Sequence, residues 1–252
     1  MSNSQLPHKD AKFIVFSDFD GTITTEDSND HMTDNLGFGY KRRRELNIDI
    51  LEERVGFKQA FQEMLDSVSS KHSFDECREI VKRNIKLDEG FKDIFNWAKS
   101  ANVPVVIVSS GMTPIIRAIF ENLVGKEDAD LIEIIANDLD TSKGSGPGQW
   151  TIKFRHPESA FGHDKDRCIS PYRFLSPKPT IFFCGDGVSD LSAAKSSDCL
   201  FVKIKEGSGN DLAKHCERES IPHVKFGSFL QVKDIVQSVV EGNKKVQDVL
   251  KA

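Results

Sequence analysis

The sequence predicts an α/β fold: a doubly wound, Rossmann-like parallel sheet with a small helical cap inserted after its first strand. Three observations carry that prediction. The apolar runs Phe13–Phe16 (FIVF), Val103–Val108 (VPVVIV) and Ile181–Cys184 (IFFC) are continuous rather than alternating, as expected of strands buried on both faces of a helix-covered parallel sheet. Helical patterns separate these runs, and strands that alternate with helices make a doubly wound sheet. Between the first and second runs lies an insert, residues 27–86, far longer than a crossover between neighbouring strands needs.

Taken in order, the first strand Phe13–Phe16 opens the core, which comprises residues 10–26 and 87–252. The insert, residues 27–86, forms the cap. Within it Phe57–Val68 is amphipathic, and Ser73-Phe-Asp-Glu76 has the form of a capping box that starts a further helix. Its basic run Lys41-Arg-Arg-Arg44 reads as a solvated helix face or as an attractor of an anionic substrate. Asp88–Ser100 places Phe91, Ile94, Phe95 and Ala98 at spacings of three and four, the mark of a helix. After the second strand, Pro114 opens a helix that runs to Leu123. Leu131–Leu139 and Trp150–Phe154 read as strands on either side of Thr141–Gly148 (TSKGSGPG), a β-hairpin with a long tip. The third strand, Ile181–Cys184, precedes a helix after Asp190, and Leu200–Val202 is a fourth strand. A closing amphipathic helix follows Phe226.

Composition narrows the function classes. The 252 residues are 38% hydrophobic and 29% charged, with a net charge of −5, which argues against nucleic-acid binding through a basic surface. No apolar stretch approaches the roughly 18 residues of a membrane span, and the polar start MSNSQLPHKD lacks the apolar core of a signal peptide. The expectation is a soluble chain of the cytoplasm or nucleus. Five scattered cysteines without a Cys-x-x-Cys pair read as buried reduced thiols rather than a disulfide framework or zinc site. No oligomeric state follows from the sequence.

Each of the three apolar runs ends in polar groups: Ser17-Asp18-Phe19-Asp20-Gly21-Thr22, Ser109-Ser110-Gly111 and Gly185-Asp186-Gly187-Val188-Ser189-Asp190. Open α/β sheets bind ligands outside the carboxyl ends of their strands. Neighbouring strands would therefore bring Asp18, Asp20, Ser109, Asp186 and Asp190 to one region. Several carboxylates in one site repel, so some lose their charge unless a cation joins them. Magnesium suits such a set, because it takes oxygen ligands and needs only one or two carboxylates beside a substrate phosphate. A basic group is then wanted opposite the metal. Lys165, in Gly162-His-Asp-Lys165, lies upstream of the third strand at the start of a helix. Other readings fit less well. Nothing helical precedes Asp18, against a calcium loop. Gly185–Asp190 lacks the third glycine of a dinucleotide fingerprint, and no Gly-x-x-x-x-Gly-Lys-Ser/Thr loop occurs.

These residues resemble the haloacid dehalogenase superfamily of phosphotransferases. Asp18–Thr22 resembles its first motif, Ser109 its second, Lys165 its third and Gly185–Asp190 its fourth, in the family order; Lys153 and Lys178 lie near enough to compete for the third. Within the superfamily the chain is most similar to the phosphoserine phosphatase branch, whose helical cap also lies between the first two motifs, and to the methylthiopentenyl-phosphate phosphatases. It departs from the former at Asp27, at Ser109-Ser110-Gly111 and at Gly162-His-Asp-Lys165. The resemblance implies a magnesium-dependent phosphatase for a small phosphomonoester, with neither nucleic acid nor membrane as partner. Asp18 would be the nucleophile, Asp20 the general acid and base, and Ser109 and the amides near Ser110 and Gly111 the phosphoryl grip. Lys165 would offset charge. Asp18, Asp20 through its carbonyl, Asp186 and Asp190 would hold the metal, Asp190 through a water. Asp27 is a substrate-contact candidate, and Arg42, Arg43, Arg44 and Arg54 are candidates for a substrate carboxylate. His31, His156, His163 and His223 read as structural or surface histidines. The alternatives are a phosphotransferase or mutase on the same scaffold, and a non-catalytic regulatory protein with a decayed catalytic position.

Overall fold

The computed structural model describes residues 6–205 and 210–251. Its strands are β1 (Phe13–Ser17), β2 (Val105–Met112), β3 (Glu133–Asp140), β4 (Thr151–Lys153), β5 (Thr180–Gly185), β6 (Cys199–Lys203) and β7 (Val224–Phe226). The helices are α1 (Ser28–Asn35), α2 (Tyr40–Leu51), α3 (Phe57–Ser69), α4 (Phe74–Asn84), α5 (Phe91–Ser100), α6 (Thr113–Val124), α7 (Lys126–Leu131), α8 (Asp166–Ile169), α9 (Leu191–Ala194), α10 (Asp211–Arg218), α11 (Phe229–Val240) and α12 (Val246–Val249). Two compact units emerge, one of Met1–Ile23, Leu87–Val108 and Lys165–Ala252, the other of Thr24–Lys86 and Ser109–Asp164.

In the first unit the strand order is β2-β1-β5-β6-β7. Each adjacent pair is parallel, with Val15 beside Val105, Ser17 beside Cys184 and Phe183 beside Leu200. Chain progression reverses between β1 and β5, which makes this a doubly wound, Rossmann-like sheet with its switch point at the ends of those two strands. The apolar runs are buried as their continuity predicts: Ile14, Phe16, Val106, Ile107 and Ile181–Cys184 have no exposed surface. The phenylalanines form a connected set. Phe182 packs on Phe201, Phe201 on Phe226, Phe226 on Phe229 and Phe229 on Phe91, with ring centroids 5.1–6.4 Å apart. Each buried ring contributes about 1.5–3 kcal/mol of transfer free energy. An ion pair is buried among them. Lys203 and Asp88 are bonded, and Asp88 Oδ1 accepts the Phe229 amide at the start of α11 (2.8 Å).

In the second unit Asp27 caps α1, its Oδ1 accepting the amides of Asn29 (2.7 Å) and Asp30 (2.9 Å). Ser73 caps α4 through the Glu76 amide (3.2 Å), as its motif predicts. Helix α3 buries Phe61, Met64, Leu65 and Val68 along one stripe. Strands β3 and β4 form the expected antiparallel hairpin. This grouping differs from the division drawn from sequence, in which residues 109–164 went with the core. The reason lies in contacts between distant segments. The Trp150 indole donates to the His72 carbonyl (2.9 Å) and packs edge-on against Phe74; Ser69 donates to the Trp150 carbonyl, and Asn122 of α6 to the Lys82 carbonyl of α4 (2.9 Å). No helix among the described residues is long and apolar enough to cross a membrane.

Candidate active site

The site of the first unit begins where β1 and β5 end. The ladder that sets Ser17 beside Cys184 continues one step, with the Asp18 amide donating to the Cys184 carbonyl (2.8 Å). Asp18 and Asp186 thus leave adjacent parallel strands at their carboxyl ends, at the switch point. Lys165, at the N-terminus of α8, is fully buried. Its ammonium lies 2.7 Å from Asp18 Oδ1 and 2.7 Å from Asp190 Oδ1. The second oxygen of Asp190 accepts the amides of Asp186 (2.9 Å) and Gly187 (3.0 Å), which closes the β5 loop on itself. A Cβ at Gly185 would come within 2.6 Å of Asp190 Cγ, so the sequence needs glycine there. Asp186 is the outermost of the three acids. It accepts Thr22 Oγ1 (3.4 Å) on Oδ1 and the Lys205 ammonium (3.3 Å) on Oδ2. Gly21 has φ +76°, and a side chain on it would collide with the Asp186 carboxylate.

One oxygen each from Asp18, Asp186 and Asp190 lies within 4.8 Å of the others. Burial pushes the Asp18 carboxyl well above its ordinary 3.8; Lys165 opposes that rise, and the charges of Asp190 and Asp186 add to it. Burial also works against the charge on Lys165, but Asp18 and Asp190 outweigh it and hold the ammonium above its ordinary value. Two ammonium groups, the buried Lys165 and the more exposed Lys205, therefore do not fully neutralise three clustered carboxylates. A compact set of hard oxygen donors with surplus negative charge fits a hard divalent cation. Asp20 is buried two residues beyond Asp18 and lies outside this carboxylate group.

Ser109, Ser110 and Gly111 belong to the second unit. Ser109 lies two residues along β2 from Ile107, the partner of Ser17. The Gly111 amide donates to Ser109 Oγ (3.0 Å), His163 Nδ1 donates to the Ser109 carbonyl (2.7 Å), and Asn137 Nδ2 donates to the Ser110 carbonyl (2.7 Å). Asp27 is engaged in its helix cap, which accounts for an acid at that position. Arg43 is buried and bonded to Asp30 (2.6 Å) and Asp34 (2.7 Å). Arg42 pairs with Glu63 (3.0 Å), and Arg54 with Asp49. Sequence reasoning missed Lys205 and Asn137. No motif marks Lys205, whereas Asn137 is the polar interruption that follows an apolar run in LIEIIANDL.

The model of the haloacid dehalogenase-like hydrolase family matches residues 15–195. The chain is 48% identical to Pdp3-interacting factor 1 of Schizosaccharomyces pombe, over 90% of this chain and 96% of that one. It is 42% identical to polyol phosphate phosphatase PYP1 of Saccharomyces cerevisiae, over 95% and 98%. It is 27% identical to 2-hydroxy-3-keto-5-methylthiopentenyl-1-phosphate phosphatase of Geobacillus kaustophilus, over 90% and 96%. A solved structure, the phospho-aspartyl intermediate analogue of phosphoserine phosphatase, superposes with a TM-score of 0.63 at 16% identity, covering 90% of this chain and 98% of that one. That last likeness concerns the fold.

Proposed function

The chain belongs to the haloacid dehalogenase-like hydrolase family, and we propose that it is a magnesium-dependent phosphatase of a small phosphorylated metabolite, working through an aspartyl-phosphate on Asp18. The observation that carries this reading is the buried Lys165 ammonium bonded to both Asp18 and Asp190, beside Asp186. In the first step Asp18 attacks phosphorus in line and the substrate alcohol departs with a proton from Asp20. In the second a water, deprotonated by Asp20, attacks the aspartyl-phosphate and returns Asp18. Lys165 keeps the Asp18 carboxylate aimed and offsets negative charge. Asp18, Asp186 and the Asp20 carbonyl would hold magnesium, with Asp190 orienting its surroundings. When bound, the ion supplies charge neutralisation at the phosphoryl group. Ser109 and the amides of Ser110 and Gly111 grip phosphoryl oxygens, and the helical insert, residues 27–86, selects the rest of the substrate.

The yeast relative named as a polyol phosphate phosphatase is similar over nearly its whole length, so a polyol phosphate is the first substrate to test. Purified protein is assayed for orthophosphate release from polyol phosphates, phosphoserine, a methylthiopentenyl phosphate and p-nitrophenyl phosphate, with magnesium and with excess chelator. The proposal expects release that needs both the metal and Asp18. Turnover that survives chelation, or no release from any substrate, refutes it.

A further inference from the structure

We infer that the hydroxyl of Ser110 is a substrate-binding group for a phosphoryl oxygen, presented by Asn137 and His163 as positioning residues. The inference rests on the phosphatase reading above and deepens it. Ser110 is 7% exposed, and its Oγ is buried without a hydrogen-bond partner among the described residues. A buried, unpaired hydroxyl is costly, and native structures keep one where something else completes it.

The backbone on both sides of Ser110 is held. His163 Nδ1 donates to the carbonyl before it and Asn137 Nδ2 to its own carbonyl, each at 2.7 Å. Neither donor has exposed surface. Each is fixed in turn. Asn137 Oδ1 accepts the Arg155 amide (2.9 Å) and the Asn137 carbonyl accepts Thr113 Oγ1 (2.9 Å). The His163 ring packs against His156, centroids 5.4 Å apart, and His156 Nδ1 accepts the Asp164 amide (3.1 Å). In a planar trans peptide the carbonyl and N–H point opposite ways, so anchoring these two carbonyls also sets the directions of the Ser110 and Gly111 amides. Only the side-chain torsion of Ser110 stays free. The Gly111 amide is turned to Ser109 Oγ (3.0 Å), so a rigid loop with the Ser110 amide and an uncommitted Ser110 hydroxyl is what remains to meet an anion rich in acceptor oxygens. Such bonds to a charged oxygen are worth roughly ten- to hundredfold in binding.

The test compares Ser110→Ala with the wild type in three measurements: the thermal midpoint of the free protein, KM, and the inhibition constant of orthophosphate. The inference expects an unchanged or raised midpoint, because an unpaired hydroxyl is removed, with KM and the inhibition constant both raised about tenfold or more. His163→Leu is expected to lower kcat, and His163→Asn, which keeps a donor, to recover most of it. Ser110→Ala with wild-type KM and inhibition constant overturns the inference and leaves the phosphatase reading standing. A wild type that neither hydrolyses phosphomonoesters nor binds orthophosphate overturns both.

Discussion

Replacing Asp18 by asparagine should abolish hydrolysis and, in the absence of divalent cations, stabilise the fold. Asp18 faces two carboxylates within 4.8 Å and one ammonium at 2.7 Å. At an effective dielectric constant near 20, each repulsion is at least roughly 3 kcal/mol and the attraction about 6 kcal/mol. The charge contributions therefore nearly cancel, and burial decides the direction: the folded carboxyl holds its proton more tightly than the unfolded one. The stability that Asp18 contributes is then fully present below its ordinary 3.8 and is lost as pH rises through its folded value. Asparagine carries no such proton. Wild-type stability relative to Asp18→Asn should fall with rising pH in that window, by up to about tenfold in the folding constant per pH unit, and then level off. Urea or thermal unfolding of both proteins in chelator, from about pH 4 to 7, reads this directly; each kcal/mol moves the midpoint of a chain this long by ~2–4 °C. A variant less stable than the wild type near neutrality, or a difference flat with pH, refutes the reasoning. Activity of Asp18→Asn should be down by on the order of a thousandfold or more, as measured by orthophosphate release.

Other perturbations probe the same cluster. Lys165→Met leaves Asp18 and Asp190 buried without their cation and should cost about 3–5 kcal/mol in urea unfolding, a loss that shrinks in acid as Asp18, whose carboxyl burial already pushes upward, takes up its proton. Gly185→Ala drives a methyl against Asp190 and should cost about 1–3 kcal/mol and weaken divalent-cation binding by calorimetry; unchanged binding would count against the role of Asp190. Burial pushes the thiols of Cys77 and Cys199 up to about 12 and raises those of Cys184 and Cys216. Only Cys168 is not buried, so a thiol reagent applied to the native protein should modify at most that one quickly.

Much of this architecture could be read from residue order, for identifiable reasons. Phe13–Phe16, Val103–Val108 and Ile181–Cys184 are apolar throughout, and only a strand covered on both faces needs that. Asp18, Asp186 and Asp190 could be grouped before any coordinates, because they follow such strands directly. What escaped depends on partners distant in sequence. Lys203 and Asp88 are unremarkable charges until 115 positions of separation are closed by the fold. The three-residue strand Val224–Phe226 is too short to carry a period. Arg43, read as part of a basic run, turns inward to Asp30 and Asp34 on the neighbouring helix. The hairpin Glu133–Lys153 was legible, but its attachment to α3 and α4 was not, since Ser69, His72 and Trp150 carry no motif.

The most direct test of the account is chemical trapping of the intermediate. Wild-type protein turning over a phosphomonoester is quenched in acid within the first turnovers, digested, and searched by mass spectrometry for a phosphorylated carboxylate. The account predicts phosphate on Asp18, absent from Asp18→Asn and lost on a chase in water. Steady turnover with no phosphate on Asp18, or with phosphate on another residue, would contradict it.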